Sequence, residues 1–260
     1  MPRPRVITLT TDFGNTDSWV GQMKGVILGI CPDAVVVDLT HGVPSHDVAG
    51  GAYALACGFP AFPEGTIHVA VVDPGVGTDR RRLVVRARGH WFIAPDNGLL
   101  TRVVRGAESV AAWSIEQAHY LRTDVSSTFE GRDVFAPAAA WIARGTEASH
   151  LGPPVGDWIL LPDRTPELVP GREVAVPVVA VDRFGNVVLD LHGGGFAGRV
   201  LVGDAEVATF RRTYADAPAG EPFLLWNSSG FLEIAVREGR ASDLLGLAPG
   251  AEVRLVPAVL

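Results

Sequence analysis

Four aspartates stand where a strand-like run gives way to a glycine-bearing turn. They are Asp12 in Thr10-Thr11-Asp12-Phe13-Gly14, Asp73 in Val72-Asp73-Pro74-Gly75, Asp96 in Pro95-Asp96-Asn97-Gly98 and Asp182 in Asp182-Arg183-Phe184-Gly185-Asn186. In open parallel sheets ligands bind beyond the carboxyl ends of the strands. A carboxylate placed there can accept both hydroxyls of a ribose or pair with a substrate amine. The competing reading is ordinary turn chemistry, in which aspartate and asparagine bond their own backbone. Each aspartate alone fits a turn former; several in one chain favour a site.

Further polar, glycine-flanked segments accompany them: Asp73-Pro74-Gly75-Val76-Gly77-Thr78, Thr128-Phe129-Glu130-Gly131-Arg132-Asp133 and Asn227-Ser228-Ser229-Gly230. Gly75-Val76-Gly77 invites a nucleotide-loop reading, but Arg80 occupies the third glycine position, so the dinucleotide fingerprint fails. There is no Gly-Lys-Ser/Thr phosphate loop and no Gly-x-Ser-x-Gly elbow. The seven histidines form no His-x-x-x-His and no Cys/His cluster, so no metal site is expected. His41 and His46, the closest pair, read as structural or ligand-lining.

The elements that must hold these segments follow from hydrophobic periodicity. Strands are expected at Val6 to Thr10, Val35 to Leu39, Thr66 to Val72, Leu83 to Ala87 and Trp91 to Ala94. Helices are expected where Trp19, Met23, Val26, Ile27 and Ile30 recur, at Val48 to Cys57, and at Phe135 to Ala143. This alternation predicts an α/β fold with a mostly parallel sheet and flanking helices over residues 1–163. The proline-rich stretch around 164–171 reads as a linker. Residues 172–260 then read as a smaller β-rich, barrel-like domain, with strands at Val178 to Val181, Val187 to Leu191, Arg199 to Val202, Phe223 to Trp226, Phe231 to Val236 and Glu252 to Val256. The pair flanking Asn227 to Gly230 is expected to be a hairpin. A site between the two domains would collect polar segments from both, as such interfaces commonly do.

Composition limits the partners. The chain of 260 residues carries a net charge of −7, which argues against binding a phosphate backbone. Arg80-Arg81-Arg82 is too short to change that, and Arg81 and Arg82 suit a solvated turn. Cys31 and Cys57 are the only cysteines and make no disulfide framework, which points to a reducing, cytoplasmic setting. Met1 to Arg5 holds no apolar signal core, and the longest uncharged stretch, Val48 to Pro63, is too short to span a bilayer.

Taken in order, these segments resemble the S-adenosylmethionine hydroxide adenosyltransferases, the adenosine-forming SAM hydrolases, which are related to fluorinases and chlorinases. The likeness runs from Thr8 to about Leu247. It implies an N-terminal α/β domain, a C-terminal β-rich domain, and a homotrimer with active sites between subunits. It also implies S-adenosylmethionine as substrate, with no metal or separate cofactor. By this resemblance Asp12 holds the ribose hydroxyls, Asp17 and Asp182 lie near the methionine amine, and Asn186 reads the adenine edge. Ser228 meets the methionine carboxylate, Tyr214 stacks on adenine, and Phe129 lies beside the reacting carbon. Asp73 and Arg80 match two members of an Asp-Arg-His group that positions and activates water. Where the hydrolases usually carry histidine, in Thr-Phe-His-Gly-Arg-Asp, this chain has Glu130.

The implied reaction is in-line attack by water at the 5′ carbon, with neutral methionine sulfur leaving. Asp73 would accept a hydrogen bond from the water, Arg80 would fix Asp73, and Glu130 would share a proton with Asp73 or need Arg80 between them. Glu130 leaves open a protein that binds S-adenosylmethionine or adenosine with little or no turnover. A halogenase is disfavoured, because a halide would meet the Asp73 carboxylate where the related fluorinase has a tyrosine.

Overall fold

The computed structural model of the protein describes residues 5–259. The chain forms two compact units that divide between Leu161 and Pro162. Each is described by itself.

The first unit is built on a seven-stranded sheet in the order β2-β1-β3-β5-β4-β6-β7. β1 (Arg5–Thr11) lies between β2 (Ala34–Thr40) and β3 (Ile67–Val71), parallel to both. β3 pairs in parallel with β5 (His90–Pro95), and from there the sheet turns antiparallel through β4 (Arg82–Ala87), β6 (Val110–Ser114) and β7 (Pro154–Val155). The sheet is therefore mixed, with parallel strands in the half that carries Asp12 and Asp73. β6 escaped the sequence reading because Val110-Ala111-Ala112-Trp113-Ser114 is short and only weakly alternating.

Helices cover both faces. α1 (Trp19–Ile30) and α4 (Ala136–Ala143) pack together on one side, where Met23 and Ile27 meet Ile7, Leu9, Val69, Val84 and Phe135. α2 (Val48–Gly58) and α3 (Thr101–Val104) cover the other side, over Ala70, Val72, Leu83, Val85 and Phe92. Neighbours in sequence, such as Val71 and Val72 or Leu83 and Val84, enter opposite cores, as the period of two requires. The buried stripe of α1 is Val20, Met23 and Ile27. Trp19, which the periodicity placed with that stripe, is 43% exposed.

The connections matter for the site. β1 leads through α1 to β2, and β2 leads back through α2 on the opposite face to β3. The winding thus reverses between β1 and β3, and the crevice beyond their carboxyl ends is where such sheets bind ligands.

The second unit is an antiparallel sheet in the order β11-β10-β14-β8-β9-β13-β12. Its strands are β8 (Val174–Val181), β9 (Val187–His192), β10 (Gly198–Val202), β11 (Ala205–Val207), β12 (Pro222–Trp226), β13 (Phe231–Val236) and β14 (Glu252–Pro257). Just past β11, Leu224 N donates to Thr209 O at 2.8 Å and Arg211 N to Leu224 O at 2.8 Å, so the two edges meet and the sheet is nearly closed into a barrel. A short helix, α5 (Ala241–Leu245), packs against β13. β12 and β13 form the expected hairpin. β8 starts earlier than expected and runs through Pro177, which faces Glu252 of β14.

Candidate active site

A cavity of about 340 Å³ opens beyond the carboxyl ends of β1 and β3. Asp12 follows β1 directly, and Asp73 lies two residues past β3; both line the cavity. His46, held at φ 66°, donates its backbone N–H to Asp12 Oδ2 at 2.8 Å. That bond fixes the carboxylate on the cavity wall. Phe129, Glu130, Ser45 and His46 line the same space.

The loop before α4 supplies the wall opposite. Asp133 is fully buried and accepts from Ser126 N at 2.8 Å, while Arg132 Nε donates to it at 2.7 Å. Burial works to raise its pKa, but these bonds and the nearby Arg132 and Arg122 outweigh it and hold the carboxyl below its ordinary range. Asp133 thereby pins the loop. Residues Gly131–Phe135 form a π-helical turn running into α4, a distortion common at functional sites, and Glu130 is its first cap. The loop of Asp73 to Arg80 is drawn against this wall at Gly77. With φ at 80°, a Cβ there would lie 2.6 Å from Ser127 O, so only glycine allows the approach.

Phe129 is boxed by Phe13 and Trp19, with ring centroids 5.8 and 5.1 Å away at steep angles. All three rings border the cavity. Faces and edges of this kind suit an apolar ligand body and tolerate a diffuse cation.

The charged cluster sits beside them. Arg80 Nε donates to Asp73 Oδ1 at 2.7 Å, and its Nη2 donates both to Asp73 Oδ2 and, at 2.5 Å, to Glu130 Oε2. Asp73 and Glu130 thus do not share a proton: Arg80 lies between them. Arg80 itself does not line the cavity. Its side chain is 7% exposed, with the guanidinium over the Phe135 ring at 5.6 Å. Arg82 approaches Glu130 from the other side, donating from Nε at 2.9 Å and from Nη2 to Oε1. Burial acts to raise the Glu130 pKa, yet the hydrogen bonds from Arg82 and Arg80 prevail and hold it below the ordinary carboxylate range. Glu130 is therefore an ionised acceptor.

Several expectations about individual residues change. Arg81 and Arg82 are not a solvated turn: Arg81 bridges Asp96 and Asp157, and Arg82 holds Glu130. Asp96 is buried and accepts from Arg81 and from Ile159 N at 2.7 Å, so its role is to tie loops together. His41 is likewise structural, bonded to Thr11 Oγ1 at 2.8 Å, whereas His46 does reach the cavity. Asp17 is exposed in the turn before α1 and does not border the cavity.

In the second unit Asp182 follows β8. Its Oδ1 accepts from Phe184 N and Asn186 N, and its Oδ2 from Asn186 Nδ2 at 2.8 Å. Tyr214 donates its hydroxyl to Glu233 Oε1 at 2.8 Å, and Asn227 Nδ2 donates to Oε2 at 3.2 Å. Burial pushes the Glu233 carboxyl up, with the charge of Asp182 adding to it against these hydrogen bonds. Burial and Glu233 together push the Tyr214 phenol up as well. Ser228 is exposed in the β12–β13 turn. Tyr214 and Asn227 thus bond a residue the sequence reading passed over, and Asp182, itself bonded to Asn186, acts on it through its charge. Its signal was present: Glu233 is the lone charge in the apolar strand Phe231–Val236. Trp19, Phe13 and Arg82 were also passed over as site residues. No group of three or more His, Cys, Asp or Glu side chains suited to a metal ion occurs among the described residues.

This order of segments and this pair of folds match two family models. The SAM hydroxide adenosyltransferase N-terminal domain matches residues 7–152, and the SAM hydroxide adenosyltransferase C-terminal domain matches residues 176–254. The chain belongs to the SAM hydroxide adenosyltransferase family. Among its relatives is the (R)-S-adenosyl-L-methionine hydrolase of Salinispora arenicola, 40% identical over 96% of this chain and 97% of the relative. A fluorinase of an Actinoplanes species is 29% identical over 88% of this chain and 90% of its own. A crystal structure of a conserved protein from Thermotoga maritima superposes with a TM-score of 0.89 at 34% identity, covering 96% of this chain and 99% of that one. In this chain Glu130 is a carboxylate with two arginine partners.

Proposed function

We propose that the protein hydrolyses S-adenosylmethionine at the 5′ carbon, giving adenosine and methionine. The observation that carries this reading is the cavity at the switch point of the sheet, where the Asp12 and Asp73 carboxylates stand beside an aromatic wall. The hydrolase relative at 40% identity supports the same reaction.

Asp12 accepts the ribose hydroxyls. Asp73 accepts a hydrogen bond from a water, whose oxygen attacks the 5′ carbon in line with the sulfonium. The carbon–sulfur bond breaks, its electron pair stays on sulfur, and methionine leaves neutral at that atom. The proton lost by water passes to Asp73 and on to solvent. Both Asp73 oxygens already accept from Arg80, which orients the carboxylate while leaving acceptor capacity on each oxygen. Phe129, Phe13 and Trp19 border the sulfonium without a fixed anion of their own, so the cation is not over-stabilised before its charge is discharged. A halide ion would have to enter beside the Asp73 carboxylate, which disfavours a halogenase.

We assign Asp17 and Asp182 to the substrate amine, Asn186 and Tyr214 to adenine, and Ser228 to the carboxylate. We assign the working form as a cytoplasmic homotrimer with sites at subunit interfaces and no metal or additional cofactor. The family resemblance supports the trimer, and the two isolated thiols support a reducing compartment. Among the described residues no helix is long and apolar enough to cross a membrane.

The test is incubation with S-adenosylmethionine in oxygen-18 water, with products followed by mass spectrometry. Adenosine labelled at the 5′ oxygen supports the hydrolase. Tight binding without adenosine release makes the protein a binder instead.

A further inference from the structure

The cluster beside the cavity contains a side chain that the reaction as written does not use. Arg82 opens β4, and the alternation of that strand sends Arg82 and Val84 to the face covered by α1 and α4, the face on which Glu130 sits. Its register is secured on both sides: Arg82 pairs with Pro95 of β5, and Ile115 N donates to Arg82 O at 2.8 Å. The guanidinium gives Nε and Nη2 to one oxygen of Glu130, Oε1, while Arg80 takes the other, Oε2. Each oxygen of the carboxylate thus faces a different arginine.

Charge counting shows what this division does. Asp73 and Arg80 alone balance. Glu130 adds a negative charge whose side chain is only 2% exposed, and a buried charge without a partner is strongly unfavourable. Arg82, with about a third of its side chain exposed, supplies the missing positive charge from the solvent side. Without Arg82, Glu130 would compete with Asp73 for the same Arg80 Nη2, which already serves both. Arg80 would be drawn toward Glu130, and the orientation of Asp73 would loosen.

We propose that Arg82 is a positioning residue for the hydrolysis, neutralising Glu130 so that Arg80 stays committed to Asp73 and Asp73 stays aimed at the attacking water. This rests on the hydrolase reading above. Arg82 touches neither substrate nor water; it acts through Glu130 and Arg80. Its importance is therefore conditional on the charge at position 130, which an ordinary structural salt bridge would not be.

The experiment compares adenosine release by the wild-type protein, Arg82→Ala, Arg82→Lys, Glu130→Gln and the double variant Arg82→Ala/Glu130→Gln, with pH profiles and melting temperatures for each. Arg82→Ala is expected to lower kcat by about ten-fold or more, with KM for S-adenosylmethionine changed by less than about three-fold. Its kcat deficit relative to wild type narrows as pH is lowered, because Glu130 loses a partner that favours its ionised form and its protonation removes the charge that competes for Arg80. Arg82→Lys recovers part of the loss. The double variant, again balanced in charge, turns over faster than Arg82→Ala, so the two effects do not simply multiply. If Arg82→Ala does not fold, Arg82→Gln carries the same comparison. The proposal is overturned if the Arg82 variant keeps kcat within about two-fold of wild type with an unmoved pH profile. It is equally overturned if the loss follows melting temperature alone and neither lysine nor Glu130→Gln restores turnover. Wild-type protein that binds S-adenosylmethionine but forms no adenosine overturns the hydrolase reading itself, and that outcome is visible before any variant is compared.

Discussion

Arg82 and Glu130 lie 48 residues apart in the chain, and Arg82 Nε reaches Glu130 Oε1 at 2.9 Å. Arg80 holds the other oxygen of the same carboxylate. Glu130 is therefore fixed as an anion between two cations and is spared any role as proton donor. In the reaction proposed above, the carboxylate left to accept a proton from water is Asp73, which lines the cavity and which Arg80 grips with two hydrogen bonds.

That division predicts the phenotype of Asp73→Asn. The amide keeps the size of the side chain but accepts no proton, so kcat should fall by about 100- to 10,000-fold, the range expected for loss of a general base. Binding should change little, because the role proposed for Asp73 is toward the attacking water and not the substrate's recognition groups. Calorimetric titration of S-adenosylmethionine alongside single-turnover kinetics measures both. A variant with undiminished turnover would remove Asp73 from the reaction.

The close approach at Gly77 predicts a second variant. Gly77→Ala places a Cβ at φ 80° and 2.6 Å from Ser127 O, so the Asp73–Arg80 loop must back away from the wall that carries Glu130. Strain of this kind costs about 1–3 kcal/mol, and turnover should fall with it. Gly75→Ala is the control: its Cβ would meet Thr78 Oγ1 at an ordinary 3.6 Å, and the stability change should stay within about 1 kcal/mol. Urea unfolding and adenosine release on both variants decide the matter. Equal effects from the two substitutions would contradict the account.

A pH dependence of stability follows from His68. It is buried on β3, bonded through Nδ1 to Thr8 Oγ1 at 2.8 Å and 3.3 Å from His90 Nδ1. Burial, then the neighbouring His90, lowers its pKa to about 3. Between pH 6.5 and about 3 the unfolded chain binds a proton at this position that the folded chain does not. Folding stability should therefore fall as pH is lowered through that window, by at most about 1.4 kcal/mol per pH unit from this residue. Replacing His68 with a non-titrating residue, His68→Gln, should flatten the slope between pH 6 and 4 even if it lowers stability overall. Chemical denaturation across that range provides the comparison, and an unchanged slope would show that other groups control it.

Local pattern carried much of this protein. Period-two runs bounded by glycine turns marked β1, β3 and the β12–β13 hairpin, and they placed Asp12, Asp73 and Asp182 at strand ends because a strand's exit is a local event. The same logic could not separate Asp73, which faces a cavity, from Asp96, which ties Arg81 to the backbone of Ile159. Both have identical local surroundings, an aspartate after an apolar run and before a glycine. The partner across the fold decides between them. Arg82 and Glu130 show the limit most clearly. In the chain one is the last of three arginines and the other a departure from an expected histidine. Only the register of β4 against β5, and the π-helical turn that leads into α4, turn the two side chains toward each other. Glu233 was visible as a charge inside an apolar strand, but its partners Tyr214 and Asn227 come from separate turns of the barrel. Sequence alone determined most of the elements, the strand-end carboxylates and the family. Tertiary structure decided which charges neutralise which, because a salt bridge depends on distance in space, and strand register and helix packing set that distance.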